Sequence, residues 1–128
     1  MLGSILSIAA GATIGALFRW VLAVRFNPVY PTLPLGTLAA NLVGGYLVGI
    51  AIAYFATRPD LPPEVRLFVI TGFLGGLTTF STFSAEVVTQ LQNGQPLAAI
   101  ATALVHMLGS FALTALGIAT VYALKQTP

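Results

Sequence analysis

The sequence predicts an all-α membrane protein of four transmembrane helices, with the third helix broken near its middle. Three observations carry this reading. Of the 128 residues, 57% are hydrophobic and only 6% charged, whereas a soluble domain carries about a quarter charged residues. The apolar residues fall into four runs, each meeting the roughly 20 residues a helix needs to cross the hydrocarbon core. The third run carries Gly75-Gly76-Leu77-Thr78-Thr79-Phe80-Ser81-Thr82-Phe83 at its centre. Adjacent glycines and a row of hydroxyls are poor material for an unbroken span. Non-helical backbone at that depth is tolerated only where it is buried in protein or lines a cavity. The nonapeptide therefore reads first as a broken helix beside a conduction path, and second as helix-packing glue.

The first run covers residues 2–24. No Lys or Arg precedes its apolar stretch, which argues against a cleaved signal peptide. The second covers 35–56, the third 65–91 and the fourth 97–124. Short polar links separate them at 25–34, 57–64 and 92–96. Each link contains proline, and the last holds Asn93-Gly94, a turn signal. Residues 1–128 are thus expected to form a single four-helix transmembrane unit with both termini on one side. There are no cysteines, hence no disulfide framework, redox pair or thiolate metal site. A net charge of +2 is too small and scattered for a nucleic-acid partner.

Orientation follows Lys and Arg in the flanks. Arg58, Arg66 and Lys125 lie on the side of the termini, against Arg19 and Arg25 on the other. So slight a bias fits equally a chain oriented by other cues and a chain that inserts both ways and pairs about a two-fold axis in the membrane. One bundle of this size has little room for a lined pore, and two-fold dimers are the commonest oligomers. Small-residue pairs that permit close helix contact recur at Gly11/Gly15, Gly36/Ala40/Gly44, Gly45/Gly49 and Gly72/Gly76. They suit packing within a subunit or between subunits.

Few residues can carry chemistry. Phe80 and Phe83 share a face if the helix resumes after Thr79. They read as core aromatics, or as rings whose positive edges favour an anion without a full charge. Ser81 and Thr82 lie between them, and Glu86 extends their face by one turn. An ionisable group in the hydrocarbon is by default a functional candidate, although Glu86 also suits pairing with an arginine. Asn41 is the amide of the second span, with Thr37 one turn earlier; its N–H donors suit an anion or an interhelical bond. On the fourth span His106, Ser110 and Thr114 form a thin polar stripe. His106 is the sole histidine, so a side-chain metal site is improbable. Arg19 either snorkels to the interface or makes a vestibule electropositive. Nothing supports catalysis: no nucleophile–base–acid set converges, and no pair of intramembrane carboxylates exists. Uncharged donors (Asn41, Thr78, Thr79, Ser81, Thr82 and Ser110) dominate, which matches a small dehydrated anion in transit.

Three segments now carry a resemblance over essentially the whole chain: Gly11-Ala12-Thr13-Ile14-Gly15-Ala16-Leu17-Phe18-Arg19, Gly36-Thr37-Leu38-Ala39-Ala40-Asn41-Leu42-Val43-Gly44, and the long run from Gly72 to Glu86, which is the specific one. The chain resembles the Fluc (CrcB) family of small fluoride channels. The resemblance implies an antiparallel, dual-topology homodimer in the bacterial plasma (inner) membrane, giving passive, selective fluoride efflux and so fluoride resistance. It implies an anion pathway through Asn41, Phe80 and Phe83, with Ser81 and Thr82 as a polar track. Thr37, Thr79, Glu86, His106, Ser110 and Arg19 are the further pathway candidates. It also implies a structural Na⁺ at the dimer interface, held by the carbonyls of Gly75 and Thr78 from both copies, and no organic cofactor. The expected partners are an inverted second copy, fluoride and the bilayer.

The alternative is a small proton-coupled multidrug or cation exporter of dual topology. Such exporters use a carboxylate in the first helix, and residues 2–24 contain no Asp or Glu. A purely structural subunit would leave the concentration of hydroxyls and the Asn41 amide unexplained.

Overall fold

The computed structural model describes residues 1–127. Four helices in it are long and apolar enough to cross a membrane. Helix α1 (Leu2–Phe26) ends where Asn27-Pro28-Val29 tightens into a 3₁₀ turn, because Pro28 has no N–H to continue the ladder. Helix α2 (Leu35–Ala56) starts directly after Pro34. The link that follows carries an exposed ion pair between Arg58 and Asp60 at 2.8 Å. Arg58 holds the Asp60 carboxyl below its usual range, chiefly through that hydrogen bond. So exposed a pair adds little to stability.

The third span is in two pieces. Its first piece, α3 (residues 63–77), opens with an α-turn at Pro63–Arg66 and passes through a π-helical stretch at Leu67–Leu74. It closes with one α-turn at Gly75–Leu77. Thr78 and Thr79 are extended, and α4 (Phe80–Gln92) then resumes the crossing. Gly94 at φ +70 makes the reversal that follows, a left-handed conformation glycine adopts without strain. Helix α5 (Pro96–Gln126) begins with proline at its first position, where a missing N–H costs nothing.

Small residues decide how these helices meet. Between helices in lipid, association comes from close packing and hydrogen bonds rather than from hydrophobic exclusion. The largest side chains buried to under 2% exposure are only Thr37 and Thr102, so the backbones themselves approach closely. The small-residue pairs are used within the chain. Gly11 and Gly15 of α1 abut the backbone of α3, and Gly72 and Gly76 answer from α3 onto Ile8 and Ala12. Gly36 meets Leu22 of α1, while Gly49 and Gly117 let α2 and α5 touch backbone to backbone. Ala40, Ala51, Phe55, Leu74 and Leu77 fill the middle.

A Cβ on Gly49 would strike the Thr114 carbonyl, whereas one on Gly109 would meet only the flexible Leu42 side chain. Gly49→Ala is expected to destabilise the folded protein by about 1–3 kcal/mol through overpacking. Gly109→Ala is expected to be neutral, or to gain up to about 1 kcal/mol from helix propensity. Unfolding in detergent followed by circular dichroism measures both.

Candidate functional site

The site is built around the two extended residues at the break. Leaving a helix orphans its last carbonyls, and starting another orphans its first N–H groups. Inside a bilayer each orphan must find a partner within the protein. Thr78 turns out at ψ 153 and Thr79 follows at φ −149, ψ 117. The Thr79 N–H would have continued the helix onto the Gly75 carbonyl. It donates instead to Asn41 Oδ1 at 2.7 Å. Asn41 Nδ2 donates to the Thr79 carbonyl at 3.0 Å, so one side-chain amide of α2 mimics a backbone partner on both sides of Thr79.

Thr79 also caps α4. Its Oγ1 accepts from the Thr82 N–H at 3.1 Å, diverting the donor that would have answered the Thr78 carbonyl. It donates in turn to Thr82 Oγ1 at 3.1 Å. From α1, Arg19 Nε donates to the Gly76 carbonyl at 2.9 Å. Arg19 is thus tied to the break through its Nε. With Gly76 and Thr79 answered, the helical N–H partners of the Gly75 and Thr78 carbonyls are the two diverted elsewhere.

The same amide sets the state of His106. Because the Thr79 N–H can only donate, the oxygen of Asn41 must face it, and the NH₂ points the other way. Asn41 Nδ2 lies 3.0 Å from His106 Nδ1, which must therefore accept. A neutral His106 then carries its proton on Nε2. Phe83 stacks on the imidazole at 4.5 Å between centroids and 25° between planes. Phe80 meets Phe83 edge to face at 5.5 Å and 76°. Phe83 is buried, while Phe80 stands 76% exposed.

These groups line an open groove of about 430 Å³ between α2, α3, α4 and α5. Asn41, Gly75, Thr78, Thr79, Phe80, Phe83, His106 and Ser110 all border it. No Lys, Arg, Asp or Glu does. Its wall is made of amide, hydroxyl and imidazole donors beside aromatic rings, with Gly44 and Gly45 keeping the α2 side low.

The remaining sequence candidates lie around this groove. Glu86 sits one turn beyond Phe83 and accepts from Thr37 Oγ1 at 2.6 Å. Asn27 holds Thr37 from the α1–α2 link, accepting from its N–H at 3.0 Å and donating to its hydroxyl at 3.3 Å. Ser81 is exposed on α4 and Thr82 half-buried; neither borders the groove. Thr114, the end of the α5 stripe, donates to the Gly45 carbonyl at 2.9 Å and so joins two helices. Asn27, Gly44 and Gly45 were not singled out as site residues. Asn27 carried no periodic signal because it lies in a link.

A family model described as CrcB-like protein, Camphor Resistance (CrcB), matches residues 6–118. A protein of Tolumonas auensis named fluoride-specific ion channel FluC is 58% identical over 127 residues, covering 99% of this chain and 100% of that relative. Proteins of the same name from Burkholderia pseudomallei and Burkholderia lata are 58% and 60% identical over 120 residues, covering 94% of each chain.

Asn41→Ala removes both partners of Thr79 at once. A buried unpaired group costs about 1–3 kcal/mol, so the variant is expected to lose at least that much stability. The Thr79 amide is expected to exchange its hydrogen more than tenfold faster in hydrogen–deuterium exchange. Unchanged protection there would refute the clamp.

Proposed function

The chain belongs to the CrcB-like family, and on that premise we propose that it is a fluoride-selective channel giving passive fluoride efflux. It is a multi-pass bacterial membrane protein and not an enzyme. One observation supports the channel reading from the residues upward. The groove at the helix break is walled by uncharged donors and aromatic rings, with no fixed charge on its lining. Moving a bare small anion from water into a low-dielectric medium costs tens of kcal/mol. Asn41, Thr79, Ser110 and the positive edges of Phe80 and Phe83 replace part of that hydration. No full positive charge holds the ion, and conduction requires that no single site bind too tightly. Ser81 and Thr82 extend the donors past the rings, while Glu86, Thr37 and His106 form the far end of the path. Arg19 adds positive potential behind the break.

The finer reading concerns assembly. Phe80 projects away from its own protomer, and the groove is open on that side. An inverted second copy would cover the ring and close the path, giving an antiparallel homodimer. Each copy would bring the carbonyls of Gly75 and Thr78, whose helical donors Asn41 and Thr79 have diverted. A hard cation takes oxygen ligands of this kind, and unwound helix carbonyls bind Na⁺ elsewhere in membrane proteins. Two carbonyls from one chain are too few, whereas two copies offer four. A structural Na⁺ held there would supply a fixed positive charge near the membrane centre, stabilising the dimer and easing the approach of anions.

Release of fluoride from liposomes, followed with a fluoride electrode, tests the function. Wild-type protein is expected to release fluoride and hold back chloride; equal chloride passage, or no release, would sink the reading. Phe80→Ile and Phe83→Ile are each expected to cut flux about fivefold, from loss of a ring contribution near 1 kcal/mol, with the dimer still assembled. Full flux in both would refute the ring role. Accessibility labelling of the termini from each membrane face is expected to modify both populations, and labelling from one face alone would rule out dual topology.

A further inference from the structure

A second cavity, of about 460 Å³, lies between α2 and α3. Ala51, Phe55 and Leu74, each at 6% exposure or less, form its floor. Tyr54 and Val65 stand 43% and 39% exposed at its mouth. No charged side chain borders it, and Tyr54 carries its one polar side chain.

An apolar space of this kind gives water no partners and stays dry. Between helices in a bilayer no hydrophobic exclusion squeezes it shut, because acyl chains are as apolar as leucine. The cleft also turns away from the face that a second copy would cover. Its α2 residues Leu47, Ile50 and Tyr54 stand roughly 120° around the helix from Asn41, Gly44 and Val48, which border the groove at the break. The occupant that such a mouth meets is lipid.

The mouth carries one spare positive charge. Arg66 lies against Phe55, its guanidinium carbon 5.6 Å from the ring centroid. Its Nη2 donates to the Phe55 carbonyl at 3.4 Å. Neither contact neutralises the charge. Arg58 forms the one ion pair among the described residues, with Asp60, and its Nη1 donates to the Tyr54 hydroxyl at 3.3 Å. Glu64 rests on Gly3 of α1 instead of pairing with Arg66. A basic group at the mouth of a pocket between transmembrane helices suits an anionic lipid headgroup.

We propose that this cleft binds an anionic phospholipid, with one acyl chain seated on Ala51, Phe55 and Leu74 and the phosphate at Arg66. The floor supplies the space, and Arg66 supplies the choice of headgroup. Leu74 borders the groove at the break as well. Its carbonyl accepts from the Thr78 N–H at 3.0 Å and from the Thr78 hydroxyl at 2.8 Å. A seated chain therefore packs against the residue that anchors Thr78. The site does not depend on which ion the groove conducts.

Quenching by brominated lipid tests this in the full-length protein. Trp20 is the only tryptophan, so a Trp20→Phe, Tyr54→Trp protein carries one indole, at the mouth. In phosphatidylcholine vesicles, brominated phosphatidylglycerol is expected to quench it about fivefold more effectively than brominated phosphatidylcholine. Equal quenching by the two lipids overturns the headgroup site. Quenching by neither shows a mouth covered by protein, a second copy included, and overturns the lipid. Arg66→Gln in this background is expected to bring the ratio to about one, as removal of one interfacial charge should; an unchanged ratio removes Arg66 from the site. Inorganic phosphate in the buffer is expected to leave the preference intact, and its loss there would assign Arg66 to free phosphate and overturn the lipid. Ala51→Leu fills the floor and is expected to abolish the preference, which attraction to a bare surface arginine would keep. Ile50→Phe narrows the same space and answers the question where circular dichroism shows Ala51→Leu unfolded.

Discussion

The forked pairing of Asn41 with Thr79 is the interaction on which the rest of this site depends. A bilayer offers a broken helix no water, so an N–H and a C=O released at mid-depth must be met from within the protein. One amide on α2 meets both, at 2.7 and 3.0 Å. Because it does so, the third span can stop at Leu77 and restart at Phe80 without a stranded group at Thr79. The same side chain points its spare N–H at His106 and thereby fixes that imidazole's tautomer. The break, the phenylalanine pair and the histidine are consequences of a single donor–acceptor arrangement.

Close packing makes that arrangement possible. Asn41 is a short side chain and reaches the break at Thr79 only because glycine lets backbones come together. Gly44, one turn beyond Asn41, faces the methyl of Thr78 with no room for a Cβ. On the opposite side Gly11, Gly15, Gly72 and Gly76 press α1 onto α3, bringing Arg19 within 2.9 Å of the Gly76 carbonyl. Satisfying the break from α1 and α2 also leaves the groove wall free of fixed charge. The Arg19 guanidinium stands outside that wall and donates to the Gly76 carbonyl. This division suits a CrcB-like channel, in which an ion must be welcomed and then released.

Much of this was legible in the residues. The paired glycines and the hydroxyl run located the break, and the spacing of Phe80 and Phe83 placed both rings on one side of a resumed helix. Asn41 stood out because an amide is expensive in a span. What could not be read were the partners. Nothing in the spacing of Arg19 says that it binds Gly76, 57 residues away in sequence. Asn27 lies in a link where no periodicity operates, yet it holds Thr37 in place for Glu86. Thr102 looked like any helical threonine, since only its surroundings reveal that its hydroxyl stays unpaired.

The sequence by itself determined that the chain lives in a membrane, crosses it with four helices, and interrupts the third. Those properties follow from local quantities: apolar run length, the scarcity of charge, proline and glycine placement, and a concentration of hydroxyls. The tertiary structure alone decided which group answers which orphan, that the small-residue seams close within the chain, and that four buried side-chain atoms on α4 and α5 lack partners among the described residues. Such pairings join residues dozens of positions apart through hydrogen bonds near 3 Å. Distances of that kind are set by how helices dock, and no one-dimensional pattern records them.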